Sequence, residues 1–191
     1  MDLLLTLVTA PIWLPLLVLA AICVALDGHS PFYLQDRIGR DGRVFRMMKL
    51  RSMVHNADAI LETYLRDNPE ARREWDSTQK LKSDPRITLV GRIIRKTSID
   101  ELPQLFNVLL GDMSLVGPRP MMTCQKEMYS GDRYYDLRPG LTGFWQISSR
   151  NQCRFSHRVR YDNAYNAALS LRTDVTVIFR TIGVVLRGTG Y

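Results

Sequence analysis

Two adjacent carboxylates, Asp100 and Glu101, are the residues of this chain best placed for chemistry, because arginines flank them in the sequence. Arg95 precedes the pair, and Arg119 follows it between two prolines that restrict the backbone around its side chain. A carboxylate can act as a nucleophile, and a guanidinium group binds phosphate through a planar fork of donors. The arrangement therefore indicates phosphate chemistry, with Asp100 as the candidate nucleophile.

The local sequence predicts that both acids lie in the first turn of a helix. Pro103 would clash with the carbonyl four residues earlier inside a helix, so the helix should begin at residues 98–100. Ser98 and Glu101 have the spacing of a capping box. The partial positive charge of a helix N-terminus should lower the pKa of Asp100 and suit a bound phosphate. Alternatively, the acids cap the helix and have no chemical role.

Attack by a carboxylate on a phosphoryl group requires the negative charge of the phosphate to be masked. The candidate cations are Lys49, Arg51, Arg95 and Arg119. Lys49 and Arg51 point the same way if their strand stays regular, although each alone could be an ordinary surface charge. A divalent cation would add to the masking. Its candidate ligands are Asp100, Glu101 and Asp112.

Trp145 and Gln146 follow a loop rich in glycine and proline, and they could form a shelf of ring and amide for a nucleobase. The alternative is a tryptophan packed in a turn. The 191 residues suffice for one domain, and the net charge of +7 favours anionic partners. Nucleic acid is disfavoured as a partner because no binding motif is present. The three scattered cysteines form no disulfide framework, which favours a reducing, cytoplasm-facing location.

The chain opens with an apolar segment, residues 3–26, that carries no charge and is long enough to span a bilayer. Pro11 and Pro15 lie inside it, and a bend or break is expected near Pro11. Two interpretations remain open from the residues: a kinked single span, or a re-entrant hairpin that returns to the same face. The basic residues that follow place the next domain on the cytoplasmic side. Residues 175–186 form either an interfacial helix or a core element.

Turn and helix signals divide the remaining chain into short elements. Asp41 and Gly42 predict a β-hairpin of residues 32–38 and 43–50. Helices are expected at residues 56–66 and 69–75. The helix that begins at residues 98–100 should continue through residues 105–110, and Gly111 should end it. Residues 156–171 read as a polar helix.

Taken together, these motifs resemble the bacterial sugar transferases, namely the monotopic polyprenyl-phosphate phosphoglycosyl transferases that prime exopolysaccharide synthesis. The resemblance covers nearly the whole chain and is most specific from residue 96 to residue 120. The matching segments include Asp36-Arg37-Ile38-Gly39, Lys49-Leu50-Arg51-Ser52-Met53, Asp84-Pro85-Arg86-Ile87-Thr88, Gly117-Pro118-Arg119-Pro120 and Pro139-Gly140-Leu141-Thr142-Gly143-Phe144-Trp145-Gln146.

The resemblance implies an enzyme that transfers a phosphosugar from a UDP-sugar to undecaprenyl phosphate, with release of UMP and with Mg²⁺ as cofactor. Asp100 would form a covalent intermediate, and Glu101 would position the metal or a proton. Arg95 and Arg119 match the phosphate-binding arginines of the family, and Lys49 matches a lysine at the end of its hairpin.

The implied fold is α/β, a small and mostly helical catalytic body with a short β-hairpin and amphipathic helices on the membrane. Residues 1–27 would form a re-entrant helix-break-helix with its break at Pro11, and residues 28–191 a catalytic domain facing the cytosol. The implied location is the bacterial inner membrane, with a monotopic topology. The sequence leaves monomer and homodimer open.

Three features depart from the family pattern. Ala10 replaces a serine before the breaking proline, Leu50 replaces an aromatic residue, and the basic residues that often precede the helix are absent. The insertion at residues 56–82 is similar to that of hexose-1-phosphate transferases, which favours galactose or glucose as the sugar. The alternative function is a non-catalytic adaptor that binds anionic lipid at the membrane surface, but it leaves the arrangement of acids and arginines unexplained.

Overall fold

The N-terminal apolar segment forms one helix, α1, from Asp2 to Ala25. The structure, a computed structural model, describes residues 1–78, 81–148 and 155–186. A break at Pro11 is wrong in this structure, since α1 continues through both prolines, and a bend there stays a prediction. Side chains supply donors to carbonyls just before Pro11: the Thr9 hydroxyl donates to the Leu5 carbonyl at 2.7 Å, and the Trp13 indole donates to the Thr6 carbonyl at 3.0 Å. A re-entrant path stays a prediction.

One face of α1 belongs to the core and the rest is exposed. Trp13, Leu17, Ala20 and Val24 pack with residues of the body that include Leu50, Ile94 and Leu105. Leucine, isoleucine and valine side chains cover much of the remaining surface of α1. Within the described part of the chain, this is the one helix long and apolar enough to cross a membrane, judged by length and composition.

The predicted β-hairpin is confirmed as β1 (Phe32–Ile38) and β2 (Val44–Leu50). Asp41 and Gly42, in the 3-10 turn Arg40–Gly42 that joins the strands, have φ of 57° and 74°, left-handed values that glycine and aspartate tolerate better than most residues. The two strands are antiparallel, with Phe32 opposite Leu50 and Ile38 opposite Val44. A short strand further along the chain pairs with the free side of β1, so β1 becomes the central strand of three.

Three helices connect the hairpin to the segment that carries the acids, and a fourth follows that segment. The first three are α2 (Ala57–Asp67), α3 (Pro69–Thr78) and α4 (Leu89–Lys96), and the fourth is α5 (Gln104–Leu110). The predicted positions of α2 and α3 and the predicted end of α5 are confirmed to within a few residues. Gly111 ends α5 with φ of 83°, a left-handed conformation that glycine adopts without strain.

A second, parallel sheet supports the C-terminal half. It consists of β3 (Ser114–Val116) and β5 (Gly140–Thr142), while β4 (Met121–Met122) is the strand that pairs with β1. Helices α6 (Arg158–Ala167) and α7 (Leu171–Leu186) follow.

Helix α7 has a core face and an exposed apolar face. Val177 is buried with Val116 and Tyr165, whereas Phe179 and Ile182 are 70% and 50% exposed. Residues 175–186 were expected to form either an interfacial helix or a core element, and the buried face of α7 is a core element. The exposed apolar face has the pattern of a helix that lies at an interface.

Candidate active site

Asp100 and Glu101 lie on a single 3-10 turn, Ile99–Glu101, between α4 and α5. The predicted capping box is wrong: Ser98 has φ of 57°, and its side chain makes no cap hydrogen bond. The chain reverses sharply at Ser98, whose backbone N–H donates to the Arg95 carbonyl at 3.1 Å. Helix α5 begins only after Pro103, so the acids occupy a tight connection between helices and not a helix N-terminus.

Asp100 is buried, with 9% of its surface exposed, and its electrostatic environment is mixed. The pKa of Asp100 is raised from 3.8 to about 6, chiefly because the side chain is buried and also because the like charge of Glu101 is near. Lys49, Arg95 and Arg119 act in the opposite direction. The lower pKa expected from the sequence is therefore wrong, because loss of hydration outweighs the nearby positive charges.

Three of the four predicted cations meet at the acids. The Lys49 ammonium donates to Glu101 Oε1 at 3.0 Å, and Arg119 Nη2 lies 3.5 Å from the same oxygen. Arg95 is half-buried in the last turn of α4 and lowers the pKa of Asp100. Glu101 thus connects the end of the hairpin to the loop after β3.

Arg51, the fourth predicted cation, has other partners. Strand β2 ends at Leu50, so the alternation that would align Arg51 with Lys49 does not continue. Its guanidinium binds both carboxylate oxygens of Asp27, at 2.6 and 2.7 Å, and the Ser30 carbonyl at 2.8 Å. Arg51 therefore ties the loop after α1 to the hairpin and is not grouped with Asp100.

The loop that carries Arg119 is fixed by close packing of two backbones. The Gly140 N–H donates to the Pro118 carbonyl at 2.7 Å. A Cβ atom at Gly140 would lie 2.0 Å from the backbone nitrogen of Gly117, so only glycine allows this approach. Because the backbone is held on both sides, the guanidinium of Arg119 loses little freedom when it binds a ligand.

A cavity of about 410 Å³ lies beside the acids, between α1 and α7. Its walls are mainly apolar and include Leu102, Leu141, Ile178 and Ile182, and Glu101 lies at its edge. This cavity is not predictable from the sequence, since its walls come from distant segments whose apolar residues look like ordinary core residues.

Trp145 and Gln146 are both buried in the structure. The Trp145 ring packs edge-on against Tyr161, with centroids 5.4 Å apart, and Gln146 lines the cavity. Neither side chain offers an open face here. The nucleobase shelf stays a prediction.

The residues above can be compared with those of known proteins. A profile described as bacterial sugar transferase matches residues 1–188. The chain belongs to the bacterial sugar transferase family. This confirms the resemblance drawn from the Asp-Glu pair and the Gly-Pro-Arg-Pro motif.

Three relatives show how similar individual members are. The chain is 51% identical over 179 residues to the UDP-galactose-lipid carrier transferase of Erwinia amylovora. It is 49% identical over 178 residues to the undecaprenyl-phosphate galactose phosphotransferase of Salmonella typhimurium. These matches cover 93% and 92% of this chain but only 38% and 37% of the two relatives. The exopolysaccharide production protein ExoY of Rhizobium meliloti is 44% identical over 176 residues, which cover 91% of this chain and 78% of ExoY.

The donor set of this bacterial sugar transferase fits Mg²⁺ only if the substrate supplies most of the ligands. Among residues 1–78, 81–148 and 155–186, no three acidic, histidine or cysteine side chains converge as a metal site. Asp112 lies near Asn107, whose amide nitrogen is 3.4 Å from its carboxylate, and it does not join the Asp-Glu pair. Mg²⁺ is commonly held by one or two carboxylates together with substrate phosphates. Asp100 and Glu101 meet that requirement.

Proposed function

We propose that this protein transfers a hexose 1-phosphate, galactose or glucose, from a UDP-sugar to undecaprenyl phosphate and releases UMP. The observation that carries the proposal is a buried Asp100 surrounded by Lys49, Arg95 and Arg119. Two of the relatives bear names that specify a UDP-galactose-lipid carrier transferase and an undecaprenyl-phosphate galactose phosphotransferase. They support both the sugar and the lipid acceptor.

In the first step, an oxygen of the Asp100 carboxylate attacks the phosphorus that bears the sugar. A bond forms between that oxygen and phosphorus. The bond from the same phosphorus to the oxygen that links the two phosphates breaks, and UMP leaves with the bonding electrons. A pKa near 6 leaves Asp100 mostly ionised at neutral pH and more basic than an ordinary aspartate. Both properties favour nucleophilic attack.

The cations at the site have the task of masking charge while two anions approach each other. Lys49 and Arg119 are held beside Asp100 by their shared contact with Glu101, and Arg95 adds a third positive charge. Preorganised charges of this kind stabilise the transition state without reorganisation. Mg²⁺ bound by Asp100 and Glu101 together with the diphosphate would supply further charge neutralisation.

In the second step, a phosphate oxygen of the lipid attacks the same phosphorus and releases the Asp100 carboxylate. The cavity lined in part by Glu101 suits the start of an isoprenoid chain, since its walls are mainly apolar and Glu101 is the neighbour of Asp100 in the sequence. The exposed apolar faces of α1 and α7 support attachment to a membrane, for which we propose the cytoplasmic leaflet of the inner membrane.

The alternative function, a non-catalytic adaptor, would also explain those apolar faces. It does not explain why an aspartate is buried among cations. The test uses purified protein with UDP-galactose, undecaprenyl phosphate and Mg²⁺. We expect UMP release by the unaltered protein, and we expect Asp100→Asn to abolish it. Asp132→Asn, at an exposed aspartate, is the matched control and should retain activity.

A trapping experiment examines the intermediate directly. With sugar-labelled donor and no lipid, label should become attached at Asp100 and should leave when undecaprenyl phosphate is added. Lipid product that accumulates without any label on the protein would refute the covalent step. Vesicle binding with no UMP release from any UDP-sugar would instead favour the adaptor.

A further inference from the structure

A second group of arginines, Arg37 and Arg158, lies near Arg119. Arg37 of β1 donates through Nη1 to the carbonyl of Pro120, the residue after Arg119, at 3.2 Å. Arg158, at the start of α6, lies over the ring of Tyr134, 5.5 Å from its centroid. The Tyr134 hydroxyl contacts the carbonyl of Ile38, next to Arg37, so both arginines lie around one buried tyrosine.

Arg158 is an unusual buried cation, with only 3% of its surface exposed. Its Nε and Nη2 atoms have no hydrogen-bond partner within the described part of the chain. The carboxylate of Asp162 lies 3.6 Å away but accepts a hydrogen bond from the Tyr129 hydroxyl at 2.8 Å. Buried guanidinium donors are normally paired, so their lack of partners requires an explanation.

Arg37 also has a buried guanidinium donor without a partner, although fewer of its donors are unpaired than in Arg158. Its Nε atom is also buried without a hydrogen-bond partner among the described residues. The pKa of Arg37 is lowered to about 10, chiefly by burial and also by the positive charges of Arg119 and Arg158. The three guanidinium groups are therefore close enough to repel one another.

The carboxylates around this group do not balance its charge. Among the described residues, Arg119 pairs with Glu101, which also binds Lys49, and Arg158 pairs with Asp162. Three cations thus share two acids, and Arg37 forms no ion pair with any of the described carboxylates. Arg37 Nε and Arg158 Nε and Nη2 are the donors that remain without a hydrogen bond. An anion with several oxygens would satisfy the donors and remove the charge excess.

We propose that Arg37 and Arg158, together with Arg119, form a second phosphate site that holds the nucleotide-side phosphate of the UDP-sugar. The inference rests on the proposed function. Arg119 contacts Glu101, next to the nucleophile, and lies beside Arg37, so one guanidinium can span the two linked phosphates of a diphosphate. The lipid phosphate is the less suitable occupant, because the apolar cavity that would take its chain is lined by none of these arginines.

The test measures binding of UMP to the full chain by calorimetry, without lipid, and compares Arg37→Met and Arg158→Met with Arg40→Met. Arg40 is an exposed arginine in the turn of the same hairpin and controls for the loss of charge. Each variant in the site should weaken UMP binding at least about tenfold, the effect of one charged hydrogen bond. The KM for UDP-galactose should rise with it, while the KM for undecaprenyl phosphate should not change.

Several results would overturn the inference. Unchanged UMP affinity in folded Arg37→Met and Arg158→Met would show that the arginines only stabilise the fold, and a rise in KM for the lipid alone would place the acceptor there. If Arg158→Met does not fold, Arg158→Lys keeps the charge without the fork and should still weaken UMP binding. UMP binding is measured without turnover. Weaker UMP binding in the variants would therefore support the second phosphate site even if the unaltered protein does not transfer sugar phosphate.

Discussion

Replacing Asp100, the proposed nucleophile, by asparagine should make the folded protein more stable at neutral pH. Burial raises the pKa of Asp100 from 3.8 to about 6, a difference of roughly two units that corresponds to about 3 kcal/mol between its charged and neutral forms. Because the folded pKa lies above the unfolded one, the native state binds the proton more tightly. Ionisation of Asp100 therefore lowers the free energy of unfolding as the pH rises from about 4 to above 6.

Asparagine has nearly the shape of the neutral acid and never ionises. At pH 7.5, Asp100→Asn should thus unfold with up to about 3 kcal/mol more free energy, which for a chain of this size means a Tm higher by roughly 6 to 12 °C. Below about pH 4 both proteins carry a neutral side chain there, and the difference should vanish.

The assay is thermal unfolding of both proteins in the same detergent between pH 4 and pH 8, with Asp132→Asn as the exposed control. Comparison of variant with parent at each pH cancels the titration of all other groups. An equal or lower Tm for Asp100→Asn at pH 7.5 would show that the site does not penalise the charge. A gain that persists unchanged at pH 4 would assign the effect to something other than ionisation.

Two further predictions concern the rate of UMP release. In the unaltered protein the rate should rise with pH around a midpoint near 6, where Asp100 ionises. In Glu101→Gln the midpoint should move to lower pH, because the negative charge beside Asp100 is lost. Initial rates measured across the pH range check this, and an unmoved midpoint would contradict the electrostatic reasoning. Arg119→Lys keeps the charge but loses the planar fork, so kcat/KM for UDP-galactose should fall about tenfold or more, and an unaltered kcat/KM would remove the phosphate clamp from that position.

Elements with strong local signals were predictable from the sequence. The hairpin follows from Asp41 and Gly42, which tolerate positive φ, and the end of α5 follows from Gly111. The prediction of a capping box was wrong, and the reason for this is also local. Ser98 takes a left-handed conformation in the tight connection between α4 and α5, and the spacing of serine and glutamate does not reveal how sharply the chain turns.

The parts of the site built by distant segments were harder to predict. Lys49, Arg95 and Arg119 could be proposed as cations that mask phosphate charge, and the family resemblance supported them. Arg51 was proposed on the same grounds but binds Asp27 instead. Arg158 belongs to a helix whose sequence reads as merely polar, and nothing in the spacing shows that it is buried. Burial is a property of the assembled fold, and it is also what reverses the expected pKa shift of Asp100.

Glu101 gains a physical role from this electrostatic balance. With three cations nearby and no second acid, Asp100 would have a lower pKa and would be a weaker base, hence a poorer nucleophile. Glu101 opposes that effect in two ways, since its charge raises the pKa of Asp100 and its oxygen binds Lys49 and Arg119. Lys49 and Arg119 are thereby positioned to bind phosphate, while the pKa of Asp100, the proposed nucleophile, stays raised. An incoming diphosphate can draw Lys49 and Arg119 away from Glu101, so the pair couples substrate binding to the environment of Asp100.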